Sequence, residues 1–120
     1  MVAERYRFDL PYPPSLNRYY RHVGGRTLIS RDGRAYRRRV TQAVARLHLH
    51  RLVGRLGMRI VTHQPDRKRR DLDNTLKAML DALEHAGVYE DDGQIDVLTV
   101  DRGSVDRQSP HLDVEVWQIR

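Results

Sequence analysis

Apolar residues recur along this chain with two different periods, and the places where one period gives way to the other mark out its elements. Residues 4–10, ERYRFDL, set Tyr6, Phe8 and Leu10 on one side at period two, which predicts a half-buried strand. Residues 11–18, PYPPSLNR, read as an irregular, turn-rich segment. YYRHV and RTLIS flank Gly24-Gly25 and predict a short hairpin. From Arg34 to about His50, Tyr36, Val40, Ala43, Val44 and Leu47 fall at offsets 0, 4, 7, 8 and 11, the stripe of an amphipathic helix. Its other faces carry Arg34, Arg37, Arg38, Arg39 and Arg46. A strand follows at 56–63, ended by Pro65. Leu76, Met79, Leu80 and Leu83 repeat the helical spacing over 74–86, with Gly87 as the stop. Residues 95–101 and 112–119 alternate and are rich in β-branched side chains, so they predict two more strands. The sum is an α+β fold in a single domain spanning 1–120, with two amphipathic helices on one face of a mixed sheet of about four to six strands.

Length and composition narrow the setting. A chain of 120 residues holds one modest core. Its N-terminus alternates charged and apolar residues where a secretion signal needs an unbroken apolar run, and nothing is long enough to cross a bilayer, so a cytoplasmic, membrane-free protein is expected. There is no cysteine, which leaves oxygen or imidazole ligands for any metal and favours hard divalent ions.

Charge adds a sharper clue in its distribution. Residues 1–70 hold 18 Lys/Arg against 4 Asp/Glu, and residues 71–120 hold 4 against 12, so the halves carry +14 and −8 and sum to the net +6. A basic surface suits a polyanion. A concentrated acidic patch beside it repels phosphate unless a cation lies between, which points toward metal-assisted chemistry.

The densest chemistry lies in Asp66-Arg67-Lys68-Arg69-Arg70-Asp71-Leu72-Asp73-Asn74, followed by Lys77 and by Glu90-Asp91-Asp92. Inside a helix Asp71 and Asp73 would point about 200° apart, whereas an extended segment projects them to one side. An extended RDLD entering a helix at Asp73 or Asn74, with Leu72 facing the core, aims two carboxylates at one point, where Mg²⁺ or Mn²⁺ relieves their repulsion. The bland alternative is that Asp73 or Asn74 simply caps the helix. Arg67, Lys68, Arg69 and Arg70 stand where a scissile phosphate would be held, which favours the first reading. Lys77, one turn beyond Asp73, is either a surface partner for it or a cation that stabilises charge on a reacting phosphate. The Glu90–Asp92 cluster is either a polar turn or the source of a third ligand, Asp92 or Asp91. A helix over 74–86 runs about 20 Å and the residues to Asp92 return about 17 to 20 Å when extended, so closure is only just possible. Asp92 must run straight back beside the helix, meet a shortened helix, or complete a site in a second subunit.

Four segments together, PYPPSLNRYYRH, SRDGRAYR, PDRKRRDLDNTLKAMLDAL and AGVYEDDGQI, resemble the RusA-type endodeoxyribonucleases, the Holliday junction resolvases of bacteria and phages. The likeness runs in register over nearly the whole chain. It implies a homodimer that binds four-way DNA junctions and makes paired incisions with Mg²⁺, or Mn²⁺ in its place. Asp71 and Asp73 match the catalytic aspartates of the family motif, Asp92 the second aspartate of the later turn, and Lys77 the lysine after the motif. Arg70 falls at a basic position that contacts DNA. Tyr89 stands where the family turn carries an aromatic, a mild departure from the family pattern. Asn17, Arg18, Tyr19, Tyr20, Arg21 and His22 add an aromatic-basic group suited to stacking and phosphate contact; the equal alternative puts the two tyrosines in the core or hairpin. His48, His50, His63 and His85 show no convergent ligand spacing. The chemistry expected is phosphodiester hydrolysis, against two rivals: a non-catalytic DNA-binding protein, and a nuclease for other branched DNA.

Overall fold

The computed structural model describes residues 4–120. Strand β1 (Arg5–Pro11) leads through a single-turn helix α1 (Leu16–Tyr19) into the hairpin β2 (Tyr20–Val23) and β3 (Arg26–Ile29). Helix α2 (Arg31–Ala45), strand β4 (Leu56–His63), helix α3 (Leu76–His85), and strands β5 (Ile95–Arg102) and β6 (His111–Gln118) follow. The main sheet has the order β1-β6-β4-β5. Its β1–β6 and β6–β4 pairs are antiparallel and its β4–β5 pair parallel. A parallel pair needs a crossover, and α3 supplies it. The hairpin is a separate two-stranded unit turned at Gly24 and Gly25, both at positive φ (55° and 76°), the conformation a two-residue turn demands.

Alternation decides which side of the sheet is covered. Phe8, Leu10, Leu56, Met58, Ile60, Leu112, Val114 and Val116 all point to one side and are buried, together with Tyr36, Val40 and Val44 of α2 and Ala78, Met79, Ala82 and Leu83 of α3, in one cluster. The opposite side carries Arg7, Asp9, Arg59, Asp113 and Glu115, where Glu115 pairs with Arg5 at 2.5 Å and Arg7 at 3.1 Å. The mixed α+β architecture therefore stands as read, with four strands in the sheet.

The differences lie at helix boundaries. Helix α2 begins three residues before Arg34, because the Ser30 hydroxyl accepts the Gly33 N–H at 2.9 Å and caps it there. It ends at Ala45 rather than near His50; His48 has left-handed backbone, φ 52°, and Leu47 is 37% exposed. The extended reading of RDLD also fails beyond Asp71. Leu72–Thr75 form a 3₁₀ turn ahead of α3, and Leu72 lies half-buried outside the core cluster. No helix among the described residues is long and apolar enough to cross a membrane.

Candidate active site

The chain leaves β4 into the basic segment, and Asp66 shapes it. Its carboxylate accepts the Lys68 N–H at 2.9 Å and both guanidinium nitrogens of Arg70, at 2.5 and 3.2 Å. The Arg70 bonds and the Lys68 amide hold this carboxyl at about 2, below the usual range. Arg102, closing β5, donates to the Arg70 carbonyl at 2.6 Å and ties the segment to the sheet edge. Arg67, Lys68 and Arg69 are left exposed, whereas Arg70 is half-buried and engaged by Asp66. Three of the four expected DNA-facing cations are thus presented to solvent, and the fourth braces them.

Asp71 occupies the capping position of the 3₁₀ turn in extended conformation, φ −72° and ψ 142°, yet its side chain caps nothing. Helix α3 is capped in position by Thr75, again with no side-chain bond. Neither Asp73 nor Asn74 serves as the helix cap. Asp71, Asp73 and Lys77 are exposed, and among the described residues no ion pair joins Asp73 to Lys77. Both carboxylates are left uncommitted.

The other half of the acidic group is built by the turn after α3. Gln94 accepts the N–H groups of Glu90 and Asp91, each at 3.0 Å, and donates to the Gly54 carbonyl at 3.0 Å, which clamps the turn to the chain ahead of β4. Asp91 spends one oxygen capping Gly93 at 2.8 Å. Asp92 donates its N–H to the Glu84 carboxylate at 2.9 Å. Glu84, Asp91 and Asp92 offer ligand oxygens within 4.8 Å of one another. A set made only of carboxylate oxygens fits Mg²⁺ or Mn²⁺. Asp71 and Asp73 stand outside that tight group. Glu84 was not foreseen, although its spacing from Lys77 and Asp81 puts all three on one face of α3.

Tyr20 of the hairpin links the two halves. Its phenol is raised chiefly by burial, and it lies in the fields of Asp81, Lys77, Arg37 and Asp92. Lys77 and Asp92 thus both act electrostatically on Tyr20. Tyr19, in contrast, is fully buried: its hydroxyl bonds the Asp81 carboxylate, Arg37 donates to both, and burial pushes the phenol far above its usual range. It takes the core alternative. Tyr19 and Tyr20 meet edge to face at 4.9 Å. Asn17, Arg18, Arg21 and His22 are exposed; Arg18 pairs with Asp32 at 3.0 Å, and His22 bonds Thr27 at 3.1 Å. Tyr89 is buried beneath the acidic turn, its hydroxyl donating to the Leu80 carbonyl at 2.7 Å.

A basic segment, unpaired carboxylates and a clamped acidic turn gather around one helix, and comparison with known proteins shows the class of protein that carries them. The Endodeoxyribonuclease RusA family model matches residues 11–117. The chain is 48% identical over 99 residues to the crossover junction endodeoxyribonuclease rusA of Enterobacteria phage HK97, covering 82% of each. It is 52% identical over 91 residues to the RusA protein of Shigella sonnei (strain Ss046), 75% of this chain and 76% of that one, and 50% identical over 91 residues to that of Escherichia coli (strain K12). The chain belongs to the RusA family.

Proposed function

We propose that this protein is a crossover junction endodeoxyribonuclease, which resolves four-way DNA junctions by paired phosphodiester hydrolysis in recombination and repair. The observation that carries the reading is the pair of uncommitted carboxylates, Asp71 and Asp73, directly after the exposed cations Arg67, Lys68 and Arg69. The relatives named above are crossover junction endodeoxyribonucleases, which sets the substrate class.

Asp71 and Asp73 would hold Mg²⁺ together with Asp92 from the Glu84–Asp91–Asp92 group, with Mn²⁺ as substitute, and the ion would supply Lewis acidity toward phosphate and water there. Arg67, Lys68 and Arg69 grip the backbone, with Arg70 held behind them by Asp66. Lys77 places its ammonium where negative charge builds on the phosphate. A carboxylate of the triad accepts the proton released by the attacking water. Tyr20 forms one wall, and Asn17, Arg18 and Arg21 extend the DNA track from the hairpin side. A homodimer presents two such sites to the two symmetry-related strands of a junction. The protein acts on cytoplasmic, nucleoid-associated DNA.

The test is cleavage of synthetic four-way junction, flap and linear duplex in Mg²⁺, Mn²⁺ or EDTA. Symmetric nicks in the junction alone, abolished by EDTA, are expected. A metal-independent gel shift without products would identify a binding protein instead, and preference for the flap would shift the substrate assignment.

A further inference from the structure

The bare side of the sheet carries a second cluster, remote in character from the acidic site. His63 of β4 and His111 of β6 are directly paired across the ladder, and Asp113 follows two residues along β6, so alternation puts all three on the uncovered face. The imidazoles stack with centroids 4.5 Å apart and planes at 17°. One ligand atom from each of the three residues lies within 4.8 Å of the others. His63 and His111 are only 15% and 25% exposed.

The hydrogen-bond partners fix which ring nitrogens are available. His63 Nδ1 lies 2.9 Å from the Ser104 carbonyl, and His111 Nδ1 lies 2.8 Å from the Ser109 carbonyl. A carbonyl only accepts, so both Nδ1 atoms carry hydrogen and both neutral rings present an Nε2 lone pair. Those Nε2 atoms face the two oxygens of Asp113, at 2.9 Å for His63 and 3.4 Å for His111. Lone pair against carboxylate is repulsive unless a cation lies between. A proton on His63 alone would satisfy its 2.9 Å contact but leave the His111 lone pair facing the carboxylate at 3.4 Å, and a proton on each ring would stack two positive imidazoliums against each other. A single divalent ion would satisfy both rings and the carboxylate together once the rings turn out of their stacked arrangement, so that both in-plane Nε2 lone pairs meet at one point. For metal–ligand bonds of about 2.0–2.1 Å in a tetrahedral site, neighbouring ligand atoms sit about 3.3 Å apart, and each Nε2 lies at 2.9 or 3.4 Å from its own oxygen of Asp113. An N–H held by a backbone carbonyl on the far side of each ring is the usual support of a metal-binding histidine. Asp9 of β1, hydrogen-bonded to Asp113, stands by as a fourth group, and Asp106 lies behind His111 at 3.6 Å.

We propose that His63, His111 and Asp113 form a transition-metal site, selective for Zn²⁺ over Mg²⁺, that staples β4 to β6 and to the 103–110 loop. Two imidazoles and a carboxylate suit Zn²⁺, whereas Mg²⁺ demands oxygen ligands. The ion would also stiffen the root of the basic segment: His63 immediately precedes Gln64, and Gln64 accepts the Asp106 N–H at 2.9 Å.

Equilibrium dialysis of metal-stripped protein against Zn²⁺ tests this. Wild type and Asp71→Asn are expected to bind one ion per chain at the site with equal affinity, and His111→Gln to bind it about 10- to 100-fold more weakly. Long-range ¹H–¹⁵N spectra of the wild type read the same event without a substitution: the Nε2 signals of His63 and His111 should move together on Zn²⁺ addition and stay still on Mg²⁺ addition. Absence of Zn²⁺ binding, unchanged affinity in a folded His111→Gln protein, or immobile Nε2 signals would each overturn the proposal.

Discussion

The backbone N–H of Asp92 donates to the carboxylate of Glu84 across 2.9 Å, which binds the acidic turn to the last turns of α3. Glu84 therefore positions Asp92. Replacing it by Gln keeps an acceptor but removes charge from the group, and replacing it by Ala removes both. We expect Glu84→Ala to lower single-turnover junction cleavage about 10- to 100-fold and to raise the Mg²⁺ concentration needed, with Glu84→Gln less impaired. An unchanged Mg²⁺ dependence in Glu84→Ala would remove Glu84 from the site.

Asp71→Asn should abolish cleavage while junction binding, read by gel shift, is retained or tightened, because one negative charge leaves a phosphate site. Loss of both activities in a protein whose circular dichroism is unchanged would count against Asp71 as a ligand.

Lys77 and Asp92 both act on Tyr20 of their own chain, and we predict that in the proposed homodimer each subunit completes its own site. Dimers reassembled from Asp71→Asn and Asp92→Asn chains should then stay inactive, since neither chain has a full set. Recovery of cleavage on mixing would show that carboxylates are shared across the subunit boundary.

The Asp66–Arg70 clamp should survive mild acid. The native carboxyl titrates at about 2 against an ordinary value of 3.8, so its stabilisation is complete above the ordinary value and disappears only as pH falls through the native one. The Asp66 carboxyl ¹³C shift followed between pH 5 and pH 1.5 (both about) is expected to move only at the acid end. A midpoint near the ordinary value would mean the clamp is open in solution.

Arg37, Asp81 and Tyr19 tie α1, α2 and α3 together, the pair lying at 2.7 Å with its side chains 24% and 23% exposed. Tyr19→Phe removes one hydrogen bond and is expected to cost about 1 kcal/mol in urea unfolding. Arg37→Ala strands a half-buried carboxylate and should cost more, about 2 kcal/mol. Equal costs would indicate that the phenol alone holds the junction of the helices.

Periodic segments were legible in the sequence because burial imposes their period: β4 runs over 56–63 as read, and β6 keeps its alternation but begins and ends one residue earlier than read. The start of α2 was not, since it depends on the Ser30 cap rather than on an apolar stripe. Within the proposed site, Asp71, Asp73, Asp92 and Lys77 stood out through local density of charge. Glu84 did not, because its partner lies beyond the turn that follows its helix. His63 and His111 carry no spacing signal at all, being joined only by the pairing of two strands distant in sequence.

Gly33 makes its contribution through what it lacks. A β-carbon there would collide with the carbonyl of Tyr19 and the side chain of Ile29, the two ends of the segment that carries the hairpin. One extra methyl at this point would press the hairpin away from α2, and with it Tyr20, the side chain that the hairpin lends to the proposed site.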